Sequence, residues 1–130
     1  MNIDQLTRKF LKECDVNLQL IHCGIDAAGS EETRTDALQD IFRGAHSIKG
    51  GSGFFGLDRV GRLAAAIEDV CAKLVSGTLA FSDEISVELT NGARFLADLT
   101  EAAEIGIVLV EGYELAILDR LNDLVRRNRV

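Results

Sequence analysis

In "VGRLAAAIEDVCAKLVSG", Val60 to Gly77, the apolar residues Val60, Leu63, Ala64, Ile67, Val70, Cys71 and Leu74 return every three or four positions, the spacing of one face of an α-helix. Ser76-Gly77 supplies the stop. The same periodicity continues on both sides. Upstream, Leu38, Ile41, Ala45, Ile48 and Ser52 share a helical face. Before them Leu6, Phe10, Cys14, Leu18, Ile21 and Ile25 mark a long first helix that starts near Ile3, with Asn2 or Asp4 as its cap. Gly24 weakens the end of that helix, Gly29 stops it, and Ser30 or Thr33 caps the next, with Glu31 and Glu32 in the first turn. Downstream, Ser82 with Asp83 and Glu84 opens a fourth helix that buries Ile85, Leu89, Leu96 and Leu99. Four amphipathic helices joined by short loops predict an all-α, antiparallel four-helix bundle over about 2–103. "IGIVLVEGYE" is too β-branched and too evenly apolar for a helix, so 104–111 reads as an extended connector. An additional C-terminal helix, about Tyr113 to Arg127, carries Leu115, Leu118, Leu121, Leu124 and Val125 and ends in the basic run "RRNR", which suits a helix C-terminus.

Composition agrees with helices packed on helices. Proline is absent, aromatic residues make up 5%, and 130 residues suffice for one domain with its own core. There is no internal repeat and no low-complexity segment. A net charge of −7 argues against a nucleic-acid partner, which needs a basic face. No apolar run approaches the length of a membrane span, and the N-terminus carries charges throughout its first turns, so neither insertion nor export is expected. Cys14, Cys23 and Cys71 sit in apolar-periodic runs and read as small buried hydrophobes in a reducing, cytoplasmic setting. His22 beside Cys23 points to a different face, which is poor geometry for a metal, and no metal site is expected.

The second helix carries an unusual load in "FRGAHSIKGGSGFFGL", Phe42 to Leu57. His46 lies one residue's rotation from Ala45, on the flank of the apolar stripe, where a ring is held on one side and wet on the other. Lys49, Gly50 and Gly53 follow at intervals of three, four and seven and point the same way. Glycine in a helix interior costs about 1 kcal/mol relative to alanine, and the return is a surface free of side chains that a large partner can approach. An anion arriving there meets the Lys49 ammonium, and a phosphoryl group is the simplest such anion, because a neutral imidazole nitrogen is a competent nucleophile near neutral pH. Nucleophilic use of one ring nitrogen needs a carboxylate on the other to fix the tautomer. Glu68 flanks the third helix's stripe as His46 flanks its own, and is the candidate for that role.

A lone helical histidine is more often a packed boundary residue, and a helical bundle that binds partners without chemistry is the alternative reading. Arg43, Arg59 and Arg62 are candidates for a basic rim, although isolated helical arginines are commonly just solvated. Lys49-Gly50-Gly51 is not a nucleotide loop, since a P-loop places its lysine after the glycines and directly before Ser or Thr.

"AHSIKGGSGFFGL" and "LAAAIEDV" together resemble the histidine phosphotransfer (HPt) domains, most closely the N-terminal phosphotransfer domain of CheA-type chemotaxis histidine kinases, over roughly residues 4–100. The resemblance implies that His46 is phosphorylated, that Glu68 hydrogen-bonds its imidazole, and that Lys49 is the charge partner of the phosphoryl group. It also implies that Gly50, Gly51 and Gly53 form a docking surface; Arg43 and Arg62, from the basic-rim reading, are the further candidates for partner contact. Family members often carry a second histidine three residues before the acidic partner, and Ala65 stands there in this chain. By this resemblance a histidine-kinase ATP-binding domain donates the phosphoryl group and the Asp of a CheY-like response-regulator receiver accepts it. ATP and Mg²⁺ then belong to those partners and no cofactor is bound here. The chain reads as the N-terminal piece of a larger kinase, with a freestanding phosphorelay shuttle as the other possibility.

Overall fold

The computed structural model describes residues 4–128, and five helices account for most of them: α1 (Gln5–Ala28), α2 (Glu31–Ser52), α3 (Asp58–Ser76), α4 (Asp83–Ile105) and α5 (Tyr113–Arg127). Asn2, Ile3 and Arg129 lie outside the described residues. Asp4 caps α1, its Oδ1 accepting from the Thr7 amide at 2.7 Å, and Ser82 caps α4 by accepting from the Ile85 amide. Ser30 occupies the N-cap position of α2 without a side-chain bond. Gly77 and Gly106 close α3 and α4 in the left-handed conformation, which is accessible to glycine without a Cβ penalty. Gly106 therefore sets the end of α4 at Ile105, and the irregular connector begins there.

The first four helices form the bundle. α1 packs on α2, α2 on α3, α4 closes against α1 and α3, and α5 lies across α3 and α4. The apolar stripes of α2, α3 and α4 are buried as their periodicity predicts, with Ile41, Ala45, Ile48, Leu63, Ile67, Ile85 and Leu96 fully enclosed. Each such Leu or Ile contributes about 1.5–3 kcal/mol from burial. Two sites of close approach bring α1 and α2 together. A Cβ on Gly24 would stand 2.6 Å from the Ile41 side chain, and one on Gly44 would stand 2.9 Å from Ile21. Gly24 is thus a packing position inside α1, and the helix continues past it to Ala28.

Several expected core positions are corrected. Leu6 is 65% exposed in the first turn of α1, and Leu115 is exposed on α5, where Ile117 faces inward instead. Cys23 is exposed, whereas burial pushes the thiols of Cys14 and Cys71 up to about 12.

The connector is held by one residue of α3. Arg59 donates to both carboxylate oxygens of Glu114, to the Leu109 carbonyl at 2.8 Å and to the Val110 carbonyl at 3.2 Å. Glu114 also accepts from the Gly112 amide and is almost wholly buried. α5 is tied further by Arg127 to Glu84, Arg120 to Glu88, and the Ala80 amide to the Asn128 carbonyl.

Candidate functional site

The register of α2 against α3 is set where Ser52 meets Gly61, at which a Cβ would lie 3.2 Å from that of Ser52. Six residues back along α2 and seven forward along the antiparallel α3, His46 and Glu68 arrive at one level. Each lies on the flank of its helix's apolar stripe, so both sit at the seam between the helices. The His46 side chain is 61% exposed and that of Glu68 is 14% exposed. The hydrophobic positions Ala45, Ile48 and Ile67 beneath them are fully buried, and the two polar chains rest on a close-packed floor.

His46 Nδ1 is hydrogen-bonded to Glu68 Oε2, and Lys49 Nζ donates to Glu68 Oε1 at 2.6 Å. One carboxylate thus receives two donors from successive turns of α2. An ionised carboxylate only accepts, so the proton of this bond resides on Nδ1 and the lone pair of the neutral ring is on Nε2. Nε2 has no hydrogen-bond partner among the described residues. Burial alone would push the Glu68 carboxyl up. The hydrogen bonds from Lys49 and His46, with the charge of Lys49, outweigh it and hold the group below the usual carboxylate range.

Phe42, one turn before His46, lies nearly parallel to the imidazole, with ring centroids 5.9 Å apart and planes 10° apart. Its ring flanks one face of the imidazole. Sequence reasoning passed over this residue, though its position four before His46 is the interval that places side chains together on a helix.

The remaining candidates divide. Gly50 and Gly53 are exposed, and a Cβ at either would meet nothing within 4 Å. Gly51 is different: a Cβ there would collide with the Phe10 ring, so its missing side chain serves the packing of α1 on α2 rather than an open surface. Arg43 is exposed and bonded to Asp40 on its own helix. Arg62 is exposed and makes no ion pair among the described residues. Arg59 does not belong to a rim around His46, because its guanidinium is consumed by Glu114 and the connector carbonyls. His22 is half-buried on α1, and no group of three or more metal-ligating side chains occurs among the described residues. No described helix is long and apolar enough to cross a membrane.

Comparison with known proteins agrees with this geometry. The Hpt domain family matches residues 5–127. The chemotaxis protein CheA of Rhizobium meliloti (strain 1021) is 30% identical over 106 residues, covering 82% of this chain and 14% of that protein. The chemotaxis protein CheA of Cereibacter sphaeroides is 32% identical over 111 residues, covering 82% of this chain and 16% of that protein. The chain therefore spans about a seventh of the length of these relatives. With a five-helix bundle and an exposed, carboxylate-oriented histidine at the seam of α2 and α3, the chain belongs to the Hpt domain family, the phosphotransfer domains of two-component signalling.

Proposed function

We propose that His46 is the phosphorylated residue, that a histidine-kinase ATP-binding domain supplies the phosphoryl group, and that the Asp of a response-regulator receiver accepts it. The observation that carries this reading is the half-exposed imidazole with Nδ1 on Glu68 and Nε2 directed away from it. In the loading step the Nε2 lone pair attacks the γ-phosphorus of ATP, the N–P bond forms, and the bond from phosphorus to the bridging oxygen breaks, releasing ADP. Nδ1 keeps its proton, and the positive charge that develops on the ring faces the Glu68 carboxylate. Lys49, within reach of the same carboxylate, is placed to meet the phosphoryl oxygens as a point charge.

Discharge runs the other way. A carboxylate oxygen of the receiver attacks phosphorus, the N–P bond breaks, and its electron pair returns to Nε2, leaving the original tautomer. Mg²⁺ bound by the partner domains offsets the negative charge on the transferring group. The domain itself contributes a positioned nucleophile, a tautomer lock and a counter-charge. The larger protein, by this reading, is a chemotaxis-type kinase of the cytoplasm.

The test is acid-labile phosphate on the domain after incubation with a chemotaxis kinase core, ATP and Mg²⁺. Wild type is expected to label and to pass its label to a receiver, and His46→Gln is expected to do neither. Equal labelling of the two proteins would sink the assignment of His46.

A further inference from the structure

The surface that begins at His46 continues past the end of α2 onto an aromatic ring that phosphoryl chemistry does not use. Phe54 is 83% exposed and meets one neighbouring ring. Its ring meets Phe55 edge-on, with centroids 5.0 Å apart and planes at 77°, and Phe55 stacks on Phe10 at 4.9 Å. Phe10 is buried in the core, so a chain of three rings runs from the core out to Phe54. Gly50 and Gly53 follow His46 by four and seven residues, at the last turn and the C-cap of α2, and no Cβ rises from either before the chain reaches Phe54. From His46 to the end of α2 at Ser52 the chain climbs roughly 9 Å at helical rise, and Phe54 stands in the turn just beyond. A partner brought to the imidazole thus passes over bare backbone and then meets an exposed phenyl ring.

A single exposed phenylalanine is ordinary on a protein surface. This one stands two residues beyond the helix that carries His46, directly after the bare glycines, so a partner that covers the strip is placed to cover the ring as well. Aromatic anchors seated in a partner's pocket carry much of the energy of small interfaces. The charges indicate which partner. Arg62 is exposed on α3 and unpaired among the described residues, while the chain as a whole carries −7. A domain that accepts a phosphoryl group on carboxylate presents an acidic rim, which Arg62 attracts. A nucleotide-holding domain presents cationic and backbone N–H groups to its phosphates, which Arg62 does not favour.

We propose that Phe54 is an interaction anchor for the phosphoryl acceptor, seated in an apolar socket beside that partner's acidic pocket, with Arg62 facing the rim. This rests on the phosphotransfer reading of His46. The acceptor's carboxylate attacks phosphorus while the N–P bond breaks, and Phe54 contributes by holding the two proteins together during that exchange.

The experiment loads the domain, then measures single-turnover discharge against increasing concentrations of the chemotaxis receiver that wild type discharges to fastest, with Mg²⁺. Wild type, Phe54→Ser and Phe54→Leu are compared. Phe54→Ser is expected to raise the half-saturating receiver concentration about tenfold or more, with the limiting rate changed by less than about twofold, and Phe54→Leu to restore part of the loss. An unchanged half-saturating concentration overturns the proposal, as does a fall confined to the limiting rate, which would mean a disturbed His46. A defect in loading by the kinase core with normal discharge overturns the assignment to the acceptor. Failure of the underlying reading looks different: folded wild-type domain would then take no label from either a kinase core or phosphoramidate.

Discussion

At the level of single residues, Glu68 is the carboxylate on which the site turns. Glu68→Gln keeps the shape but presents an amide that can donate as well as accept, so the imidazole tautomer is no longer fixed. Loading of His46 is expected to slow about 10- to 100-fold, the size of effect seen when a histidine loses the partner on its second nitrogen. Proton-decoupled ¹⁵N spectra of the ring would register the change as a gain in the Nδ1-lone-pair form, and an unaltered spectrum would count against the tautomer lock. The carboxyl is held below its ordinary value in the folded protein, so it contributes stability above the unfolded value near 4.3. That contribution is lost as pH falls through the lower folded value. Wild type is therefore expected to lose stability as pH falls below the ordinary carboxylate value more steeply than Glu68→Gln, as followed by urea midpoints. The cysteines offer a separate check. With the thiols of Cys14 and Cys71 pushed up to about 12 by burial and Cys23 exposed, a thiol reagent at pH 8 is expected to modify Cys23 quickly and the other two only on unfolding.

At the level of helices, neighbouring glycines of α2 predict opposite outcomes. Gly50→Ala adds a methyl group to open space and is expected to stabilise the domain by about 0.5–1 kcal/mol through helix propensity. It should also slow discharge to a receiver several-fold, by roughening the docking strip. Gly51→Ala drives a methyl group into Phe10 and is expected to destabilise by about 1–3 kcal/mol. Thermal unfolding of the two variants would separate a docking glycine from a packing one. The sequence alone could not separate them, since consecutive glycines look alike until the partner helix is known. It was more legible elsewhere. The α3 stripe from Val60 to Leu74 is buried at each position its period selects, because a helix packed on three neighbours offers one unambiguous inner face. Leu6 and Leu115 failed the same logic because a stripe is least constrained at a helix end: the inner face of α5 runs through Glu114, Ile117 and Leu121, and Leu6 in the first turn of α1 stays exposed. Glu68 was found from its flank position, whereas the Arg59–Glu114 pair spans 55 residues and becomes visible only once α5 is placed.

For the whole molecule, that pair ties the connector and the start of α5 to α3. Glu114 is 4% exposed, and removing Arg59 leaves a buried carboxylate and strips the connector carbonyls of their donor. Arg59→Ala is expected to cost about 3–5 kcal/mol in urea denaturation. Replacing both partners, Arg59→Met with Glu114→Leu, should recover much of the loss. No recovery would mean that the connector bonds dominate over the ion pair. The Arg59 hydrogen bond, acting against burial, holds the Glu114 carboxyl below its usual range. This contribution is therefore also present above the unfolded carboxylate value and fades as pH falls through the folded one.

His46 and Lys49 belong to one helix and share a single carboxylate on the next. A slide of α2 along α3 by one turn, about 5.4 Å, would sever both bonds together, whereas a rotation of either side chain alone would sever one. The imidazole is thus a gauge of axial alignment between two helices: a force that shears the pair frees the ring's tautomer and releases Lys49 in one movement, without touching the ring itself.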